Sequence, residues 1–349
     1  MRKSKLTDYI DWLYKSQWGI IILSLFFSLV VVLGMSLLFG VYPQEIMLAL
    51  FEGAFKGGAL ESTIEQIAPF ILASLAIFLP MIAGFWNIGG EGQIWVGALA
   101  AVFVTLNCQG PPVLVIPLAL LVATLAGIVA VIIPLILKLK LGGSTEVTAT
   151  IMANFICIYF VQAMFTSVMR DPEAFYGTTY PVPEMFRLPV ISLLGINFHI
   201  GVLFAIIVTI GVYLLIKHTV YGIQLRAIGF NRDFVRAAGI SINKAVISAT
   251  LGGAAIAGFA GGVQVLGTSF RVADGWSLGW GWSGIAIAFL SSGNALAIIV
   301  IAFVFAILGT GAVYMQALTG VPAALVYVLQ NLPILAFLSL KAWQLLRRS

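Results

Sequence analysis

Five polar side chains stand where the chain is otherwise apolar enough to lie in a bilayer: Asn87, Glu91, Gln93, Asn154 and Gln264. Amide and carboxylate groups in such places hydrogen-bond either one another across helices or a polar, uncharged solute moving between them, and each of the five admits both readings. Three of them fall within Gly84–Ala98, G-F-W-N-I-G-G-E-G-Q-I-W-V-G-A, beside Gly89, Gly90 and Gly92. Glycine lets a backbone leave helical geometry or approach a neighbour closely. Amides freed at membrane depth are tolerated only inside protein or against a wet cavity. A carboxylate at the bilayer centre costs about 2.5–3.5 kcal/mol on insertion scales. The stretch therefore reads as a broken-helix junction facing a pathway. The competing reading is a short cytoplasmic turn in which Glu91 occupies the dipole-positive first turn of the next helix.

Trp276, Trp280 and Trp282 offer rings for stacking on a flat solute, or an aromatic belt at the membrane interface. Two catalytic patterns occur nearby without their context. Gly275–Gly279 fits G-x-S-x-G and Gly279–Gly284 fits G-x-G-x-x-G, but neither follows a strand. A serine triad also needs a histidine, and His199 and His218 flank other helices. No P-loop or metal-ligand spacing is present, and Cys108 and Cys157 read as packed thiols.

The elements that position these residues are membrane helices. Of 349 residues 61% are hydrophobic and 9% charged, with a mean hydropathy of +1.09. Soluble domains carry about 25% charged residues, so this chain cannot clothe its apolar surface in water. The net charge of +5 sits in segments between apolar runs, which is topology and not a nucleic-acid footprint. The run after M-R-K-S-K is long and lacks a small-residue cleavage site, so a retained anchor is expected.

The expected fold is an all-α integral membrane bundle of about ten transmembrane helices, forming a single transmembrane domain over 1–349. A helix from Trp18 to Gly40 is followed by an amphipathic helix on the outer face within Pro43–Glu65. Spans follow over Gln66–Phe85 and from the glycine stretch to Leu106. Two more cover Val113–Leu137 and the segment from Glu146 to Met169, where Gly142–Glu146 reads as a glycine stop and a helix cap. A proline-rich loop, Arg170–Asn197, leads to a span over His199–Ile216. The basic loop Lys217–Lys244 reads as one or two short helices punctuated by glycine. Later spans are expected to about Thr268, in a short helix ending at Leu290, over Ala295–Val313 and over Val321–Leu340, with Ser269–Trp282 as an outer segment. Ala254, Gly258 and Gly262 form a small-xxx-small face.

With the N-terminus inside, 14 of the 18 Lys and Arg residues fall in inner segments, leaving Lys56, Arg170, Arg187 and Arg271 outside. Both termini are then cytoplasmic. Residues 66–169 and 245–340 become two four-helix repeats of inverted topology, an architecture of transporters. Gly261-Gly262-Val263-Gln264 faintly echoes Gly89–Gln93.

Four segments carry a resemblance: N-I-G-G-E-G-Q at Asn87–Gln93, T-E-V-T-A-T-I-M-A-N at Thr145–Asn154, Y-G-I-Q-L-R-A-I-G-F-N at Tyr221–Asn231 with A-A-G-I at Ala237–Ile240, and W-S-G-I-A-I-A-F-L at Trp282–Leu290. In order and spacing the chain resembles the permease subunit of bacterial ABC importers of the ribose/branched-chain amino acid permease group, in its nucleoside-uptake branch. Ser291–Asn294 departs from the G-R-x-x-P that often stands at that turn. The resemblance implies uptake of nucleosides by alternating access through the bacterial inner membrane, with a simple sugar such as ribose or galactose as the alternative solute. A standalone ion-coupled transporter or a channel is the remaining rival. It implies no cofactor in this chain, with ATP and Mg on a cytoplasmic ABC ATPase. It also implies a second, paralogous permease and an extracellular substrate-binding lipoprotein. Asn87, Glu91, Gln93, Asn154, Gln264 and Trp282 are its candidate pathway residues. Tyr221, Gly222, Arg226, Gly229, Asn231 and Gly239 lie in the segment matching the loop that couples to the ATPase.

Overall fold

The computed structural model describes residues 17–143, 145–193, 195–322 and 324–346. The expected inner anchors Arg2, Lys3, Lys5, Lys15, Arg347 and Arg348, the interfacial Trp12 and the capping Ser144 lie outside them. The described chain is mostly helical. In order come α1 (Gln17–Ser36), α2 (Pro43–Phe55), α3 (Ala59–Ile82), α4 (Gly90–Asn107), α5 (Pro112–Leu141) and α6 (Thr145–Thr166). After the hairpin strands β1 (Val190–Leu193) and β2 (Ile196–His199) follow α7 (Gly201–His218), α8 (Val220–Phe230) and α9 (Arg232–Ala237). The last helices are α10 (Ile242–Gln264, extended by a π-turn over Val265–Ser269), α11 (Trp280–Leu290), α12 (Ala295–Thr319) and α13 (Ala324–Leu346).

Seven segments among the described residues are long and apolar enough to cross a membrane: Gly19–Phe39, Ala59–Ile82, Pro112–Leu141, Thr145–Thr166, Gly201–His218, Ile242–Ser269 and Ala295–Thr319. The chain is a multi-pass membrane protein. The other three expected spans are also helices, but α4 starts with the polar Gly90–Gln93 and α11 has 11 residues. α13 carries Pro333 within its length.

Four expectations need correction. The outer-face helix expected within Pro43–Glu65 is two elements. α2 stops at Phe55, the chain turns at Gly57 (φ +61°), and Glu61 and Glu65 belong to α3, where the helix runs on through Pro69. The bundle is not wholly helical either. β1 and β2 pair antiparallel about Gly195 (φ +80°), where β-branched residues flank a glycine that supplies the turn. Trp280 and Trp282 lie in the first turn of α11; Trp280 is buried and donates from Nε1 to Gln66 Oε1 of α3 at 2.9 Å, which removes it from an interfacial belt. The echo Gly261–Gln264 lies inside α10, whereas Gly89–Gln93 opens α4, so the two do not mark equivalent positions.

The core is built on α3 and α10, which pack against each other. α10 packs in addition on α4 and α5, and α3 correspondingly on α11 and α12. The small-xxx-small face of α10 makes this possible. Gly258 faces the Ala123 carbonyl and the Gly127 backbone of α5, while Gly97 of α4 lies on the Gly258 backbone. A β-carbon at Gly258 would enter those groups. Helix backbones held this closely exchange dispersion over their whole lengths. α2 fixes Gly53 against Gly311 and Tyr314 of α12. The loop before the hairpin crosses to the segment after α10, with Thr179 and Val182 amides donating to the Val272 and Phe270 carbonyls and Asp171 paired to Arg271 at 3.0 Å.

Candidate functional site

α3 ends in a glycine-closed turn. The Gly84 amide donates to the Met81 carbonyl and the Phe85 amide to the Pro80 carbonyl, each at 3.0 Å, with Gly84 at φ +71°. The chain then runs non-helically to Gly90. Asn87 and Gln93 face each other across this break and exchange both amide bonds, Nδ2 to Oε1 at 3.1 Å and Nε2 to Oδ1 at 3.2 Å. Asn87 Oδ1 also accepts from the Gly89 amide at 3.2 Å. The first amides of a helix have no partner within it, and α6 supplies one for Gly92 and another for Ile88 of the break before the helix. The Gly92 amide donates to Asn154 Oδ1 at 2.5 Å, and the Ile88 amide to Thr150 Oγ1 at 3.2 Å.

Glu91 is 3% exposed. Its Oε1 accepts from Trp95 Nε1 at 2.9 Å, and its Oε2 accepts from the Gly281 amide at 2.6 Å. Gly281 is in the first turn of α11, so the carboxylate lies between two dipole-positive helix starts, its own and that of α11. Gly281 abuts the Glu91 backbone, and Gly284 one turn on abuts Ala73 in the body of α3. Glu91 thus has the first-turn position of one sequence reading, within the broken-helix junction of the other. Any residue larger than glycine at 281 would force the two helix starts apart.

Asn87, Glu91, Gln93 and Asn154 therefore form one buried polar junction of α4, α6 and α11. Gln264 does not join it. It lies one turn beyond Gly261, which packs on the Ile94–Ala98 backbone, and its Oε1 has no hydrogen-bond partner among the described residues. Asn154 Nδ2 is likewise unpaired. Trp282 is more than a third exposed and its ring meets that of Phe155 of α6 at 6.3 Å. Cys157, beside the junction at Gly92, is a free thiol, as is Cys108.

The basic segment forms the two short helices expected of it. Thr219 caps α8 by accepting from the Gly222 amide at 3.0 Å, and Gly222 packs directly on the carbonyls that end α7. Tyr221 Oη bonds Ser248 Oγ of α10 at 2.8 Å. Asn231 caps α9, its Oδ1 accepting from the Asp233 and Phe234 amides at 3.0 Å each. Gly239 closes α9 at φ +75°. Arg226 borders a cleft of 300 Å³ with Lys217 and Asn294. Phe230 at the end of α8 and Phe234 on α9 are exposed, Phe230 at 93%. Gly229 abuts the Ile82 carbonyl, and Arg232 donates from Nη2 to the Gly84 carbonyl at 2.7 Å. The short helices thus touch the turn that leads into the polar junction.

Sequence reading missed four of these participants. Thr150 is visible only as one hydroxyl on a mixed helix, and Trp86, whose carbonyl accepts from Thr150 Oγ1 at 3.4 Å, as one more aromatic. Gly281 was part of a dismissed glycine pattern, and Arg232 reads as one more basic residue. Only Gly281 had a local signal, the alternation G-W-G-W-S-G.

A family profile described as "branched-chain amino acid transport system / permease component" matches residues 59–338. The chain is 33% identical over 276 residues to the guanosine ABC transporter permease protein NupP of Bacillus subtilis, covering 78% of this chain and 79% of that protein. It is 31% identical over 291 residues to the glucose ABC transporter permease protein TsgB13 of Haloferax volcanii, covering 79% and 75%. It is 30% identical over 292 residues to the nucleoside ABC transporter permease protein NupB of Lactococcus lactis, covering 81% and 79%. No solved structure matches the chain.

Proposed function

The chain belongs to the family of permease components of branched-chain amino acid transport systems, and on that premise we propose that it is the membrane-spanning subunit of an ATP-driven importer for nucleosides. The observation that carries the solute class is the similarity to two permeases, NupP and NupB, whose names specify guanosine and nucleosides. The similarity to TsgB13, whose name specifies glucose, keeps a simple sugar as the second reading. In this account a cytoplasmic ATPase, holding ATP and Mg, docks on α8 and α9. A second, paralogous permease completes the path, and a lipoprotein outside the inner membrane delivers the solute.

Ten crossings with both termini cytoplasmic agree with the clustering of Lys and Arg. The matched packing of α10 on α4 and α5, and of α3 on α11 and α12, supports two inverted repeats over 66–169 and 245–340. The exposed Phe230 and Phe234, with Arg226 beside them, support a docking role for the segment 217–244. The junction of Asn87, Glu91, Gln93 and Asn154 lies against the path as its scaffold, with Gln264 in the helix behind it and Trp282 at its exposed face.

Uptake of labelled uridine, adenosine and ribose by cells producing the whole transporter tests this reading, with and without Gly229→Arg. Nucleoside uptake that needs ATP and is abolished by the substitution is expected. Uptake of ribose alone moves the protein to the sugar reading, and uptake indifferent to ATP contradicts an ABC importer.

A further inference from the structure

Three helices at the bundle surface do not present the same kind of face. The exposed face of α5 is aliphatic up to its basic last turn, as at Leu118, Leu121, Val129 and Ile133, and α7 exposes Leu203, Ile207, Ile210 and Leu214. That is what a face turned to lipid tails carries. α6 differs. It exposes Phe155 and Tyr159, four residues apart and stacked at 6.4 Å with planes 27° apart. Phe155 stands midway along a helix long enough to span, away from the ends where interfacial aromatics belong.

These rings continue onto two other segments. Phe155 meets Trp282 of α11 at 6.3 Å. Two helical turns further on the same face of α11, Phe289 meets Trp86, of the break before α4, at 5.3 Å. Trp86 is 44% and Phe155 45% exposed. One turn beyond Tyr159 the row ends in a polar pair, Gln162 Nε2 with Asp274 Oδ1 at 3.5 Å. Two of the rings are next in sequence to buried amides of the junction, Phe155 to Asn154 and Trp86 to Asn87. Three separate segments thus set two ring groups, Tyr159–Phe155–Trp282 and Phe289–Trp86, two turns of α11 apart along a line that is polar at one end.

We propose that the row Tyr159, Phe155, Trp282, Phe289 and Trp86 is the solute track, on which the flat base of a nucleoside stacks while Gln162 and Asp274 meet its hydroxyls. Every base has a π-face, so such a row accepts purines and pyrimidines alike, and stepwise rings let the solute advance without a deep trap. The inference rests on the nucleoside reading above.

The test uses the complete transporter (both permeases, ATPase and binding protein) in proteoliposomes, with labelled guanosine, uridine and ribose. Trp282→Leu and Phe155→Leu are each expected to cut nucleoside uptake about tenfold, while Trp282→Phe and Phe155→Tyr keep most of it. Phe160→Leu, on the same helix outside the row, is expected to leave uptake unchanged. The elution volume of the complex should match wild type in all five, and basal ATPase activity should match it in Phe160→Leu. Unchanged uptake in the two leucine variants, with wild type transporting nucleosides, overturns the track alone. Loss of assembly in step with uptake overturns it in favour of a permease–permease contact. Wild-type transport of ribose but no nucleoside overturns the nucleoside reading itself, and the track with it.

Discussion

At the scale of single residues, Glu91 is a brace between two helix starts. Its carboxyl group accepts two hydrogen bonds, and losing them leaves the Gly281 amide buried without a partner, at a cost of roughly 1–3 kcal/mol. Glu91→Ala is expected to lower the unfolding free energy of the detergent-solubilised transporter by about 3 kcal/mol, and Glu91→Gln by less, read by thermal unfolding. His199 gives a pH dependence of definite sign. It is the buried last residue of β2, its Nδ1 accepting from the Gly201 amide at 3.1 Å and its Nε2 without a hydrogen-bond partner among the described residues, and burial lowers its pKa to about 4. The folded state therefore favours neutral imidazole. Its stabilising share is intact above the ordinary value near 6.5, and falls by up to about 1.4 kcal/mol per pH unit from there down to about pH 4. Melting temperatures measured between pH 7.5 and 4.5 should drop accordingly in wild type and less in His199→Gln.

At the scale of elements, the helix contacts set what can be changed. Gly258 has no room for a side chain between the α4 and α5 backbones, so Gly258→Leu is expected to abolish assembly, with the protein lost from the membrane fraction. The α8–α9 pair reaches the α3 turn through Arg232 and Gly84, and Asn87 follows three residues on. In the importer account, Arg232→Ala keeps the ATPase bound and hydrolysing but lowers uptake at least severalfold, whereas Arg232→Lys retains part of it. Uptake and ATPase activity falling together with complex yield would assign Arg232 a purely structural role.

Much of this was legible in the chain itself. The small-xxx-small face named the close-packed side of α10, because glycine spacing along a helix is a local property. The Asn87–Gln93 stretch marked the broken helix for the same reason. The partners were not legible. That Glu91 would meet Gly281, 190 residues away, depends on how the two halves cross, and no local pattern encodes it. The boundary between α2 and α3 was misread because four glutamates suggested a surface helix, while a glycine turn near residue 57 decided the break.

At the scale of the whole molecule, the chain is a multi-pass permease whose two halves pack through α3 and α10. They bring the α4 and α11 starts together over one polar junction, and a pair of short helices touches the turn that leads into it. The account is that ATP-driven movement at those short helices reaches this junction and opens a path for nucleosides. The most direct measurement is accumulation of labelled guanosine, against labelled ribose and glucose, in proteoliposomes holding the complete transporter with and without ATP. The account expects guanosine to accumulate only with ATP, and neither sugar to compete with it at a hundredfold excess. Accumulation of a sugar instead, or of guanosine without ATP, would contradict it.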